Sequence, residues 1–187
     1  MATNDILSLL KPGHDNFNSM PDNFYLKLAT REISIAPRYW DTYESFLKAI
    51  PFDWVEVKYT DLDSHLKVPA NGNGIGVYLF AVKPSSQIVD LPGHIFYVGI
   101  AGEGGSGRHL RERLRQYIQV SSVKKRTKVQ NALELYHQHT YVLYSKLSVS
   151  GKKLSEIETN LHGFFLPWAN ERDFPTNIKH AKKAFNI

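Results

Sequence analysis

The sequence predicts an α+β protein in which a small three-stranded antiparallel sheet is flanked by helices. Three observations carry that expectation. Short runs rich in Val, Ile, Tyr and Phe recur at 75–83, 94–100 and 140–148, as strands require. Segments with helical apolar spacing lie at 108–119, 122–138 and 153–166. The resulting order is β-β-α-α-β-α, the pattern of an α+β domain.

Each element follows from local chemistry. Residues 1–36 show no convincing period. Residues 39–50 place Tyr39, Tyr43, Phe46, Leu47 and Ile50 on one helical stripe, and Pro51 stops it. Residues 53–59 alternate like a half-buried strand. The turn-rich stretch 69–74 reads as a boundary, separating an N-terminal arm (1–70) from a main domain (71–187). The strands at 75–83 and 94–100 pair antiparallel by proximity. The helix at 108–119 is rich in arginine, and that at 122–138 turns Val129, Leu133 and Tyr136 inward. The last helix has Leu154, Ile157, Leu161 and Phe165 on its core stripe, ends at Pro167, and is followed by a short basic tail.

Composition excludes several classes of function. The 187 residues include no cysteine, which removes disulfides, thiolate metal sites and a Cys nucleophile. No apolar run approaches a membrane span, and the N-terminus lacks a basic, cleavable leader, so a soluble, cytoplasmic protein is expected. The net charge is +5, unevenly spread. Residues 106–128 carry Arg108, Arg111, Arg113, Arg115, Lys124, Lys125, Arg126 and Lys128 against Glu112 alone. That concentration is the footprint of a phosphate-polymer binder, or else a solvated basic face.

Two motifs are weighed and set aside. Gly102, Gly104 and Gly107 match G-x-G-x-x-G between a strand and a helix, but the chain about 20 residues on reads KKRTKVQ, where a dinucleotide site needs an acid. The eight histidines are scattered without H-E-x-x-H, which argues against zinc.

A different set is informative. Tyr78 lies in GVY on the first strand and Tyr97 in YVG on the second. Arg113 and Tyr117 stand one helical turn apart in RLRQY, so they can face one site. Glu158 and Asn170 bracket E-T-N-L-H-G-F-F-L-P-W-A-N. Over residues 75–170 this ordered set resembles the GIY-YIG nuclease family. GVY and YVG are variants of its naming tripeptides, and the Glu158–Asn170 block is similar to the catalytic domain of the bacterial excision-repair nuclease. Small restriction-type endonucleases of the family are a further likeness.

The resemblance implies a DNA endonuclease that hydrolyses phosphodiester bonds with Mg²⁺ or Mn²⁺ held by Glu158. One carboxylate suffices for Mg²⁺, which is completed by water and substrate phosphate and acts as a Lewis acid. Glu156 is the local rival but faces about 200° round the helix. Arg113 would pair with the scissile phosphate through its planar fork, with Arg108 as its rival. Tyr78 is expected as base or water-orienter, its pKa lowered from about 10 by the arginine and the metal. Tyr97 is expected as a supporting donor, Tyr117 as a further site residue, and Asn170 as a group that fixes backbone or orients a catalytic side chain. Arg108, Arg111, Arg115, Lys124, Lys125, Arg126 and Lys128 would position the DNA backbone. Gly76 and Gly99 read as places of close backbone approach. The arm 1–70 would serve as a specificity or dimerisation element, and double-strand cleavage would call for a homodimer.

One alternative stays open. Ile100 stands where family members often carry Lys or Ser, which motivates a nucleic-acid-binding module that keeps the fold without cleavage. A structural domain with a basic face is the third reading.

Overall fold

The computed structural model describes residues 5–30, 36–84, 93–102, 108–170 and 174–184. Its frame is a four-stranded antiparallel sheet of β1 (Trp54–Lys58), β2 (Gly76–Val82), β3 (His94–Ala101) and β4 (Thr140–Lys146), in the order β1-β4-β2-β3. The α+β class is as expected, but the sheet has four strands and not three. The alternating segment 53–59 is the fourth: β1 pairs with β4 from Trp54 opposite Ser145 to Lys58 opposite Tyr141. The turn at 69–74 therefore does not divide the core. Ile6, Leu10, Val57, Tyr59, Leu62 and Leu66 from the expected arm share one apolar cluster with Tyr78, Phe80, Leu114 and Leu133.

Helices were legible where one apolar stripe persisted. Among the described residues, α3 (Pro37–Lys48) and α8 (Gly151–Phe165) sit within a few residues of expectation. The segment without a period forms α1 (Ile6–Asn18) and α2 (Asp22–Ala29). Pro12 and Gly13 lie inside α1 and interrupt its pattern, yet Ile6, Leu10 and Phe17 are buried. The basic tail includes α9 (Thr176–Ala184). After α4 (Leu62–Lys67), the two helices expected at 108–138 become three: α5 (Leu110–Arg115), α6 (Val120–Val123) and α7 (Thr127–Tyr136). The chain turns at 116–119 and again at 124–126, between these helices. Gly104 and Gly107 of the glycine motif lie outside the described residues.

The sheet has two differently built faces. On the first, Tyr78 and Phe80 meet α5, α7 and the segment 59–66. On the second, Val77, Leu79, Val98 and Ile100 meet Leu154, Ile157 and Leu161 of α8. A β-bulge sets the faces at the start of β3. Phe80 pairs with Tyr97 but Ala81 pairs with Ile95, so Phe96 is the extra residue. Tyr97 shares the face of Tyr78 by regular alternation from Gly99, and the bulge adds Phe96 to that face and leaves Ile95 on the apolar one.

Candidate active site

The site grows from Tyr78, at the middle of a central strand. In register it lies opposite Gly99 on β3 and Tyr144 on β4. A Cβ on Gly99 would collide with the Tyr78 hydroxyl, so glycine at this position makes room for the phenol. Gly76 likewise leaves room for the Ser145 carbonyl. Both match the close approach expected of them.

Four expected residues come together. The hydroxyls of Tyr78 and Tyr117 are 2.9 Å apart. Arg113 Nε donates to the Tyr78 hydroxyl at 3.2 Å. The rings of Tyr78, Tyr97 and Tyr117 have centroids 5.7 to 6.2 Å apart. Local structure holds this cluster in place. Tyr59 donates to the Tyr117 carbonyl at 2.6 Å. Glu112, the lone acid of the basic stretch, accepts from the His109 backbone N–H and so caps α5.

Burial sets the protonation of the phenols. Tyr78 and Tyr117 are fully buried, and desolvation pushes both well above the usual tyrosine value. For Tyr78 the nearby Tyr97 adds to the rise, and Arg113 opposes it without overcoming it. Arg113 alone does not bring the lowering expected from arginine and metal together. Tyr97 is only half-buried, so solvent reaches the cluster on its side. Arg113 stays cationic beside these phenols.

Asn170 has the backbone role expected of it. Its Oδ1 accepts from Val98 N and its Nδ2 donates to Val98 O, both at 2.9 Å. β3 is an edge strand, and this amide completes its hydrogen bonding next to Tyr97. The chain reaches that edge by turning at Leu166, which has a left-handed φ of 47° after α8. Trp168 then stacks near Phe96, with centroids 5.7 Å apart.

Glu158 comes from a different layer. It is half-buried on α8, the helix that packs on the second face chiefly along β3. Glu156, its rival, is exposed and pairs with Lys153 at 3.0 Å. Ile100 is buried in the second-face cluster, so it cannot reach a ligand on the first face.

The basic residues divide into two groups. Arg108, Lys124, Lys125 and Lys128 are exposed, as DNA-backbone contacts need to be. Arg111 instead donates to the carbonyls of Asn71 and Val68, and Arg115 to that of Leu66 at 3.4 Å. These two tie α5 to the turn at 66–71. Arg126 folds back at the helix corner: it donates to Gln116 Oε1 at 2.8 Å, and its guanidinium lies 4.9 Å from the Tyr117 ring centroid. Gln116 also accepts from Arg113 Nη1 at 3.2 Å. Sequence reasoning missed Gln116 and Tyr59. Gln116 carried a signal, its place between Arg113 and Tyr117; Tyr59 carried none.

A separate groove of about 730 Å³ lies on the second face between α3, α8 and the sheet, lined by residues such as Leu47, Ile50, Phe52, Trp54 and Phe164. Its apolar wall suits no phosphate chemistry, so the cluster on the first face remains the candidate site.

No protein-family model, curated protein or solved structure matches the chain. Function therefore rests on the residues and their geometry.

Proposed function

We propose that the protein is a divalent-metal-dependent endonuclease that hydrolyses DNA phosphodiester bonds, with its site on the first face of the sheet. One observation carries this reading. Arg113 is a half-buried cation, oriented by Tyr78 and Gln116 and lacking a carboxylate partner among the described residues, beside three converging phenols. A preorganised guanidinium in a partly desolvated pocket suits the charge that develops on a phosphoryl group. From β2 to α8 the elements run β-β-α-α-α-β-α, one helix more than the β-β-α-α-β-α order expected.

In this mechanism Arg113 binds non-bridging oxygens of the scissile phosphate. Tyr97, the half-exposed phenol, orients the attacking water. Tyr78 and Tyr117 stay protonated and hold Arg113 and Tyr97 in place. The exposed Arg108, Lys124, Lys125 and Lys128 steer the duplex. Asn170 steadies the strand that carries Tyr97.

The metal must fit the donors present. Among the described residues no group of three His, Asp or Glu side chains gathers. A single Glu158 carboxylate fits Mg²⁺ or Mn²⁺ completed by water and phosphate, and does not fit zinc. Bound there, the ion would supply Lewis-acid neutralisation of the phosphate.

The place of Glu158 on α8, the helix packed on the second face, favours a second reading, a binding module without cleavage. Supercoiled plasmid separates the two. Nicking or linearisation in Mg²⁺, abolished by EDTA and by Glu158→Ala, is expected of the nuclease. Salt-sensitive DNA binding without scission of plasmid, branched or single-stranded substrates would establish the binding module instead.

A further inference from the structure

Two guanidinium groups meet at one oxygen in this protein. Gln116 Oε1 accepts from Arg113 Nη1 at 3.2 Å and from Arg126 Nη2 at 2.8 Å. Arg126 Nη1 also donates to the Ser122 carbonyl at 2.8 Å. Its planar group sits over the Tyr117 ring, the same ring that closes the Tyr78 pocket. Both arginines are half-buried, and among the described residues neither has a carboxylate partner. Like charges held this close repel, and the repulsion grows as water is excluded. An anion bound between or beside them would relieve it.

The remaining donors also matter. Each guanidinium has five N–H groups. Arg113 uses Nε and Nη1 on Tyr78 and Gln116, while Arg126 uses Nη1 and Nη2 on Ser122 and Gln116. Each therefore keeps N–H groups for a ligand while its orientation is already fixed. Fixing a long side chain before binding removes much of the entropy cost of contact. Exposed Lys124 and Lys125, by contrast, bear that cost in full.

We propose that Arg126 is a phosphate-binding side chain of this site, gripping the phosphate next to the one held by Arg113 on the same nucleic-acid strand. The proposal rests on the nuclease reading and sharpens its substrate class. A site with two cations set by one amide is built for a polynucleotide backbone and not for an isolated phosphomonoester. The helix corner between α6 and α7 exists, on this view, to bring Arg126 back onto Tyr117.

The test is the salt dependence of binding to a fluorescent duplex in EDTA, which prevents scission. Wild type, Arg126→Gln, Arg126→Lys and Gln116→Ala are compared, with circular dichroism as the check of folding. Each phosphate contact contributes about 0.9 to the slope of log affinity against log salt. Arg126→Gln is expected to flatten the slope by about one contact and weaken binding roughly tenfold at low salt. Arg126→Lys keeps the charge and should keep the slope. Gln116→Ala removes the bridge but no cation, so its slope should match wild type. An unchanged slope in Arg126→Gln would overturn the proposal while leaving the nuclease reading intact, as would equal flattening in Gln116→Ala, which would make Arg126 a positioning residue only. A wild-type protein without salt-dependent binding would overturn both.

Discussion

The two faces of the sheet are made by alternate residues of the same strands, yet they are built for different tasks. Val77 and Leu79 point to a layer with α8 in which the buried side chains are aliphatic. Tyr78 points the other way, to phenols and guanidinium groups joined by hydrogen bonds. The first face spends buried volume on polar groups that must all be partnered, and among the described residues no buried side-chain polar atom lacks a partner. The buried side chains of the second face are aliphatic apart from Ser145, which accepts from Asp53 N at 2.9 Å, and His162, whose Nε2 lies 3.5 Å from the Val98 carbonyl. The contrast teaches that stability and chemistry are separated by one residue of register, and a one-residue slip would exchange them.

Aliphatic truncations on the second face should lower stability and, with Glu158 untouched, spare scission. Leu154 is fully buried between α8 and the sheet. Leu154→Ala is expected to cost about 3 kcal/mol in denaturant unfolding, with unchanged scission per folded molecule. A large loss of scission in a folded Leu154→Ala protein would break the separation of the faces. Gly99→Ala attacks the first face through its floor. The new methyl must displace Tyr78, so about 2–3 kcal/mol of stability and most activity should be lost together. Thermal melts and scission rates measured on one preparation check this.

Much of this contrast was legible in the sequence and part was not. The strands, the arginine-rich segment and the last helix announce themselves through period. Tyr78, Tyr97, Arg113 and Tyr117 were picked out by type and spacing, and they do converge. Two features escaped for physical reasons. The bulge at Phe96 adds that ring to the first face, and a bulge leaves no mark in hydrophobic alternation. The pairing of Arg126 with Gln116 spans a helix corner, where neither 3.6 nor 2 residues is the repeat. Arg113 alone does not lower the pKa of Tyr78, because full burial outweighs one half-buried arginine. Strand β1 was recognised as a strand but assigned to an arm, since partners of a strand are not written in its own residues.

Smaller effects sharpen the picture at its edges. Asn170→Ala leaves Val98 N and O without their side-chain partners and should cost about 2 kcal/mol, or less where water replaces the amide. The loss of scission should exceed that of Leu154→Ala at equal folded fraction, because Tyr97 sits beside Val98. The smallest effect is alkaline. Tyr59, Tyr78 and Tyr117 have folded pKa values raised by burial. Their contribution is complete below the unfolded value of about 10 and is lost as pH rises towards the folded values, since the unfolded chain then releases protons first. Phenolate absorbance should therefore appear together with unfolding and not before it for these residues. Early ionisation of all tyrosines in the folded state would contradict their burial.

The central claim is that the guanidinium of Arg113 serves a phosphodiester and not the core. Single-turnover cleavage of duplex DNA in Mg²⁺ by Arg113→Ala tests it most directly, with a thermal melt alongside. The account predicts a rate lower by about 10²–10³-fold with the melt largely preserved. Cleavage by Arg113→Ala at the wild-type rate would contradict it.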